Sequence, residues 1–211
     1  MNAQTKTPGL ERERFLREWE SLGASHDNAF DALDALYAEP HRAYHNAEHV
    51  AECLAWLDQT WDLAERPSEI AIAIFFHDAI YAPGASDNEA RSAELFERLA
   101  RQAQVPVDAT GRVVALIEST AAHRETEGDG ALLNDIDLAI LGAPPERYAR
   151  YEQDVRAEFG AVREGPYRAG RARFLRELLG RSQIYRTPRL AALLEEQARS
   201  NLAWALAKLE E

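Results

Sequence analysis

The sequence has a single cysteine and no long hydrophobic run, and these two absences limit what the protein can be. With Cys53 as the only cysteine, an intramolecular disulfide framework is excluded. The longest strongly apolar stretch, residues 70–76, is far shorter than the roughly 20 residues that cross a bilayer. The N-terminus also lacks the apolar segment of a secretory signal. We therefore expect a soluble, cytoplasmic protein without a membrane partner.

Positive charge is scarce relative to negative charge. Among 211 residues, 24 lysines and arginines stand against 36 aspartates and glutamates, which gives a formal net charge of -12. Such a field repels duplex nucleic acid, so we expect no stable nucleic-acid partner. The hydrophobic fraction of 46% is enough for an ordinary core, and the charged fraction of 28% argues against global disorder.

Apolar residues recur three and four positions apart through most of the chain, and β-branched residues do not alternate over strand-length segments. This pattern predicts an all-α protein that forms one helical domain over residues 1–211. The segment after Pro67 is apolar nearly all round over residues 70–81, which predicts a central buried helix. Residues 124–130 are polar and contain glycine, as is typical of a loop. Further helices are expected at residues 46–61, 86–100, 113–120, 135–141, 145–159, 167–179 and 188–210.

Two histidines, His45 and His49, are four positions apart. If a helix begins at this point, both imidazoles lie on one face and flank the apolar stripe of that helix. We interpret the pair as pointing inward, toward a bound metal ion. The alternative is that both histidines cap or line the core.

A second candidate segment is the pair His77-Asp78, which follows the apolar run of the central helix. A carboxylate at this position is costly to bury unless it is paired or bound to a metal. Imidazole and carboxylate together suit several divalent cations. The alternative is a solvated aspartate at a helix end. A third segment offers Asp135 and Asp137; Asp135 can be explained as a helix N-cap, so Asp137 is the favoured ligand.

A histidine, then a His-Asp pair, then a distant aspartate on helices resembles the HD-domain superfamily of metal-dependent phosphohydrolases. More segments resemble a bacterial family described as predicted HD-superfamily hydrolases: Arg42-x-Tyr44-His45-Asn46, Phe76-His77-Asp78-x-Ile80-Tyr81, Asn88-Glu89, Asp137-Leu138-x-Ile140-Leu141-Gly142, Gly170-Arg171 and Ile184-Tyr185-x-Thr187. The resemblance implies an HD-domain-like helical bundle with a core over residues 45–140 and additional C-terminal helices over residues 144–211.

The resemblance also implies a role for each matching residue. His49, His77, Asp78 and Asp137 would ligate one divalent metal ion, which could be Mn, Mg, Fe, Ni, Co or Zn. The stretch Tyr44-His45-Asn46-x-x-His49 also resembles the start of the cyclic-nucleotide phosphodiesterase signature, which belongs to the same superfamily. In that signature the histidine matched by His45 protonates the leaving oxygen, and we place Asp78 with it among the catalytic residues. The implied activity is hydrolysis of a small phosphorylated substrate that resembles a nucleotide. A homo-oligomer is left open.

Three further residues are candidates near this site. Glu89 would act as a base, or it would close a capping box with Ser86. Arg42 is predicted to bind phosphate, with an exposed arginine in water as the alternative. His123 is predicted to contact a phosphate or a second metal, and the alternative is a surface histidine.

Two other functions compete with the phosphohydrolase. The segment from His45 to His49 fits the H-x-x-E-H signature of zinc peptidases, in which Glu48 would be the general base. That interpretation leaves His77, Asp78 and Asp137 unexplained. The second alternative is a non-catalytic helical module that binds a metal or a nucleotide.

Overall fold

The structure is a computed structural model that describes residues 9–27, 29–122 and 127–211. Within these ranges the regular structure is helical and no strand is formed, which confirms the predicted all-α class. No helix in these ranges has the length and apolar character needed to span a membrane. The helices are α1 Arg12–Ser21, α2 Phe30–Tyr37, α3 Ala47–Gln59, α4 Pro67–Phe76, α5 Asn88–Gln102, α6 Val107–Ser119, α7 Gly128–Asp137, α8 Pro145–Glu158, α9 Glu164–Leu179 and α10 Pro188–Glu210, with short 3-10 turns at Trp61–Leu63, Thr120–Ala122 and Leu138–Gly142.

Several helix boundaries differ from the predicted ones. Helix α4 begins at Pro67 as predicted but ends at Phe76 rather than at residue 81. Helix α7 begins at Gly128, inside the segment predicted as a loop, and ends at Asp137. A 3-10 turn then replaces the second half of the short helix predicted over residues 135–141. Apolar spacing finds the buried stretches, but it does not distinguish an α-helix from the tighter turn that continues it.

The chain divides into two compact units, Met1–Leu133 and Asn134–Glu211. Each unit has its own buried residues and is described by itself. The proposed extent of the HD core and the single-domain organisation stay predictions.

Helix α4 forms the centre of the first unit. All of its residues from Ile70 to Phe76 are fully buried, as their apolar character predicts. Helices α1, α3 and α6 pack against it. From α1, the Phe15 ring meets the Phe75 ring edge to face at 5.2 Å, and Trp19 stacks on Phe76 at 6.1 Å. This packing holds the C-terminal end of α4 in place, and that end carries the His-Asp pair.

Helix α10 organises the second unit. It packs against α9 and against the 3-10 turn Leu138–Gly142. The amide of Asn201 donates to the carbonyls of Leu141 and Ala143, both at 2.8 Å. The hydroxyl of Tyr185 donates to the carbonyl of Leu138 at 3.0 Å. These bonds satisfy the buried backbone carbonyls of a turn too short to satisfy them itself.

Candidate metal centre

The first histidine segment is a turn followed by the start of α3. Asn46 is the N-cap of this helix, and its side-chain oxygen accepts the backbone N–H of Glu48 at 2.8 Å. His49 therefore lies in the first turn of α3 and is 2% exposed, whereas His45 precedes the cap and is half-buried. The prediction that both histidines share one helix face is wrong. An asparagine is a better N-cap than a histidine, so the helix begins after Asn46.

His77 and Asp78 follow α4 directly. His77 is the C-cap residue, and its backbone N–H still donates to the carbonyl of Ala73 at 2.8 Å. Its ring nitrogen Nδ1 lies 2.8 Å from the carbonyl oxygen of Ile74. A carbonyl accepts only, so Nδ1 carries a proton, and Nε2 is the ring nitrogen left to bind a metal ion. Histidine ligands of metal ions are commonly oriented by such a bond.

Three donor atoms converge in the first unit. His77 Nε2 lies 3.0 Å from Asp78 Oδ2 and 3.2 Å from His49 Nε2, and His49 Nε2 lies 3.6 Å from Asp78 Oδ2. All three residues are buried and could hold a metal ion. Donors bonded to one cation at about 2.1 Å lie about 3.0 Å apart at right angles and about 3.4 Å apart at the tetrahedral angle. The observed separations fit this geometry.

The neighbouring imidazoles keep the Asp78 carboxyl ionised. Burial alone would raise the pKa of Asp78, but the positive charge available on His77, His45 and His49 and the hydrogen bond from His77 outweigh it. The pKa of Asp78 therefore lies well below its usual range. An ionised carboxylate beside two imidazoles is a donor set that binds divalent transition metals.

His45 lies beside this group without being part of it. Its ring stacks on the Tyr81 ring with centroids 4.2 Å apart and meets the Tyr44 ring edge to face at 4.9 Å. The His45 and His49 rings are 6.0 Å apart. His45 is thus next to the donor atoms and partly open to solvent, which suits a group that exchanges protons.

Arg42 is placed differently from the predicted phosphate-binding residue. Its side chain is 0% exposed. Nη1 donates to the carbonyls of Asp78 at 2.6 Å and His45 at 3.1 Å, and Nη2 donates to the carbonyl of Ala79 at 2.9 Å. Nε donates to the carboxylate of Glu39 at 3.0 Å. A phosphate could reach this guanidinium only by displacing these acceptors, so the geometry supports a different role.

The site is also lined by three residues that the sequence did not predict there: Cys53, Tyr37 and Tyr81. The Cys53 sulfur lies 3.7 Å from His49 Nδ1, four positions along α3, so helical spacing from His49 was a usable signal. Tyr37 is 2% exposed; burial raises the pKa of its phenol, and the charge of Asp78 raises that pKa further. Tyr81 stacks on His45 only because the chain turns after Asp78, and sequence spacing carries no sign of this.

Glu89 occupies the first turn of α5 and is half-buried. The N-cap of α5 is Asp87, so the capping box between Ser86 and Glu89 is not formed. The loop after Asp78 is instead hydrogen-bonded to α5 by Asn88 and Ser92, which lie close to Glu89 in sequence. The side-chain oxygen of Asn88 accepts the backbone N–H of Ala82 at 3.0 Å, and its side-chain nitrogen donates to the carbonyl of Ala82 at 3.1 Å. Ser92 Oγ accepts the backbone N–H of Ile80 at 3.0 Å. The role of Glu89 as a base stays a prediction.

The two candidate aspartates of the third segment belong to the second unit. The Asp135 carboxylate accepts the backbone N–H groups of Arg186 at 2.9 Å and Thr187 at 2.5 Å, next to the start of α10. Burial raises the pKa of Asp135, although these hydrogen bonds oppose the shift. Asp135 therefore ties two segments of the unit together, and it is not the N-cap that we predicted.

Asp137 ends α7 and is half-buried. Its charge contributes to the raised pKa of Tyr151, for which burial is the main cause. Its place in the metal ligand set stays a prediction. His123, the other predicted phosphate or metal contact, lies outside the described residues.

No family model, curated protein or solved structure matches the chain. The HD-superfamily resemblance therefore stays a prediction from the motifs. The interpretation of the site rests on the geometry of His49, His77 and Asp78 and on their surroundings.

Proposed function

We propose that the protein is a metal-dependent phosphohydrolase whose cation is held by His49, His77 and Asp78. The observation that carries this proposal is the convergence of three buried donor atoms, two imidazole nitrogens and a carboxylate oxygen, within 3.0 to 3.6 Å of one another. Imidazoles bind a cation in their neutral form, so the carboxylates of Asp78 and of the proposed fourth ligand Asp137 at most neutralise a divalent cation, which leaves room for an anionic substrate.

The chain prepares these ligands in two ways. The bond between His77 Nδ1 and the carbonyl of Ile74 directs Nε2 toward the other donors. The lowered pKa of Asp78 keeps its oxygens free of protons at neutral pH. Burial of all three side chains excludes competing water and strengthens the charge interactions among them.

A divalent cation supplies a nucleophilic water at neutral pH and stabilises charge on a phosphoryl oxygen. The proton for the leaving oxygen comes from His45, whose ring is partly exposed and adjoins the ligands. Glu89 is the proposed base and Asp137 the proposed fourth ligand, both on the strength of the motif resemblance. The substrate class is a small phosphate ester or nucleotide.

Cation binding is the first test. Wild-type protein, Asp78→Asn and the control Asp58→Asn are titrated with Mn²⁺ and followed by electron paramagnetic resonance. Asp58 is half-exposed and pairs with Arg14. We expect the wild type and D58N to bind one Mn²⁺ alike. We expect D78N to bind it at least about tenfold more weakly, because the amide loses the charge and one strong donor. Equal binding by all three proteins, or by none, would overturn the ligand assignment.

Turnover is the second test. The Mn²⁺-loaded proteins are assayed with a chromogenic phosphate ester and a panel of nucleotides and pyrophosphates. We expect hydrolysis by the wild type and D58N, and none above background by D78N. Tight cation binding with no turnover on any substrate would instead support the non-catalytic binding module.

The peptidase alternative is separated by one variant. His45 precedes the N-cap of α3, so the H-x-x-E-H segment does not place both histidines on one helix face, and this geometry argues against a peptidase. Glu48→Gln should keep phosphohydrolase activity, whereas a peptidase would lose its general base.

A further inference from the structure

We infer that Arg42 is a positioning residue that holds the proposed proton donor His45 at a fixed separation from the proposed metal ligand Asp78. This inference rests on the proposed function. It replaces phosphate binding as the role that the geometry supports for this side chain.

The first step is that one guanidinium joins two remote segments through their backbones. Nη1 of Arg42 donates at the same time to the carbonyl of His45 and to the carbonyl of Asp78, which is 36 positions away in the chain. Nη2 also donates a hydrogen bond to the carbonyl of Ala79. These carbonyls belong to turns, where no helical N–H is available to them. Arg42 therefore sets the distance between the histidine turn and the His-Asp turn.

The second step is that the guanidinium itself is held in place. Glu39 accepts from Nε at 3.0 Å, which orients the plane of the group. The ring of Tyr37 lies 5.2 Å from the guanidinium carbon and the ring of Tyr81 lies 5.6 Å from it. Tyr81 in turn stacks on the His45 ring. Arg42 thus orients the His45 backbone directly and the His45 side chain through Tyr81.

The third step is that lysine cannot replace this arrangement. A guanidinium offers five N–H donors in a fixed plane, and an ammonium group offers three around a single point. Arg42 uses donors on all three of its nitrogens toward acceptors in different directions. A lysine would keep the charge but would release at least one of the two turns.

The experiment combines a Co²⁺ titration followed by visible absorption, whose bands report the geometry of Asp78 and the other donors, with the kcat of the Co²⁺-loaded protein on a chromogenic phosphate ester, which depends on His45. Wild type, Arg42→Lys, Asp78→Asn and the control Arg199→Lys are compared. Arg199 is a matched control, since it also pairs with one carboxylate, Glu195, and donates to three backbone carbonyls, of Leu179, Arg181 and Ser182. None of these residues is a proposed metal ligand or catalytic residue.

We expect R42K to bind Co²⁺ about 10- to 100-fold more weakly, with shifted absorption bands. R199K should lose thermal stability and keep the wild-type affinity and bands. Wild-type affinity, bands and kcat in folded R42K would overturn the inference and leave the proposed function standing. The proposed function itself would be overturned if the wild type bound no Co²⁺ or if D78N bound it as the wild type does, and the inference would be overturned with it.

A second variant tests the inference if R42K does not fold. Glu39→Gln leaves Arg42 in place and removes the carboxylate that orients it, at a side chain that is 38% exposed. Folded E39Q should bind Co²⁺ about two- to fivefold more weakly, with band shifts in the same direction. An unchanged affinity, spectrum and kcat in E39Q would then overturn the inference.

Discussion

At the scale of single residues, the central question is which imidazole binds and which transfers a proton. His49 and His77 are buried and face Asp78, whereas His45 is half-buried and stacks on Tyr81. A ligand imidazole must stay neutral, while a proton donor must reach both the substrate and solvent. The different exposure of the three histidines therefore separates their proposed roles.

This separation predicts the effect of His45→Gln. The variant should lower kcat about 100- to 10,000-fold, because no group would protonate the leaving oxygen, and Mn²⁺ affinity should not change. Steady-state kinetics and a Mn²⁺ titration of the same sample measure the two effects. His26→Gln, at an exposed histidine that contacts Ser25, is the control and should match the wild type in both. Loss of Mn²⁺ binding in H45Q would make His45 a ligand instead.

At the scale of secondary-structure elements, the start of α3 determines where His49 lies. The Asn46 side chain caps the helix by accepting the N–H of Glu48, and its amide donates to the carbonyl of Ala43 at 2.9 Å. Asn46→Ala removes both bonds and should lower the free energy of unfolding by about 1 to 2 kcal/mol. Asn46→Asp keeps the capping oxygen and should lose less. Urea denaturation of the metal-free proteins compares them; equal stability of N46A and wild type would contradict this role of the cap.

The 3-10 turn Leu138–Gly142 has a similar requirement in the second unit. A Cβ added at Gly142 would lie 2.7 Å from the Leu194 Cβ and 2.9 Å from the Leu194 carbonyl oxygen, so α10 would have to move. Gly142→Ala should therefore lower the free energy of unfolding by about 1 to 3 kcal/mol.

The control for this prediction is Gly170→Ala in α9. A Cβ at Gly170 meets nothing within 4 Å, so the variant should stabilise the protein by about 0.5 to 1 kcal/mol through helix propensity. Thermal and urea unfolding measure both variants. Unchanged stability of G142A would contradict the close packing of α10 on this turn.

At the scale of the whole molecule, cation binding should appear as added stability. A ligand that binds only the folded state at 100 times its dissociation constant contributes about 2.7 kcal/mol. For a chain of this size that corresponds to a rise in Tm of roughly 5 to 10 °C. Differential scanning fluorimetry with and without Mn²⁺ measures the shift. D78N should show little of it, and an equal shift in D78N would place the cation at other ligands.

Much of the architecture follows from residue spacing alone. The apolar run of residues 70–76 predicted a buried central helix, and Pro67, Pro145 and Pro188 open helices where their fixed backbone angle is already helical. Residue spacing also predicted the all-α class and placed the adjacent histidine and aspartate near a helix end. Period and propensity are local properties, so neighbouring residues suffice to express them.

The donor geometry was decided only by tertiary structure. His49 and Asp78 are 29 positions apart in the chain, and no local pattern states that their side chains come within 3.6 Å. The burial of Arg42 depends likewise on the turn after Asp78, so its sequence position alone suggested a phosphate contact rather than hydrogen bonds to three backbone carbonyls. Burial and convergence arise when helices pack, because they depend on which remote segments exclude water together.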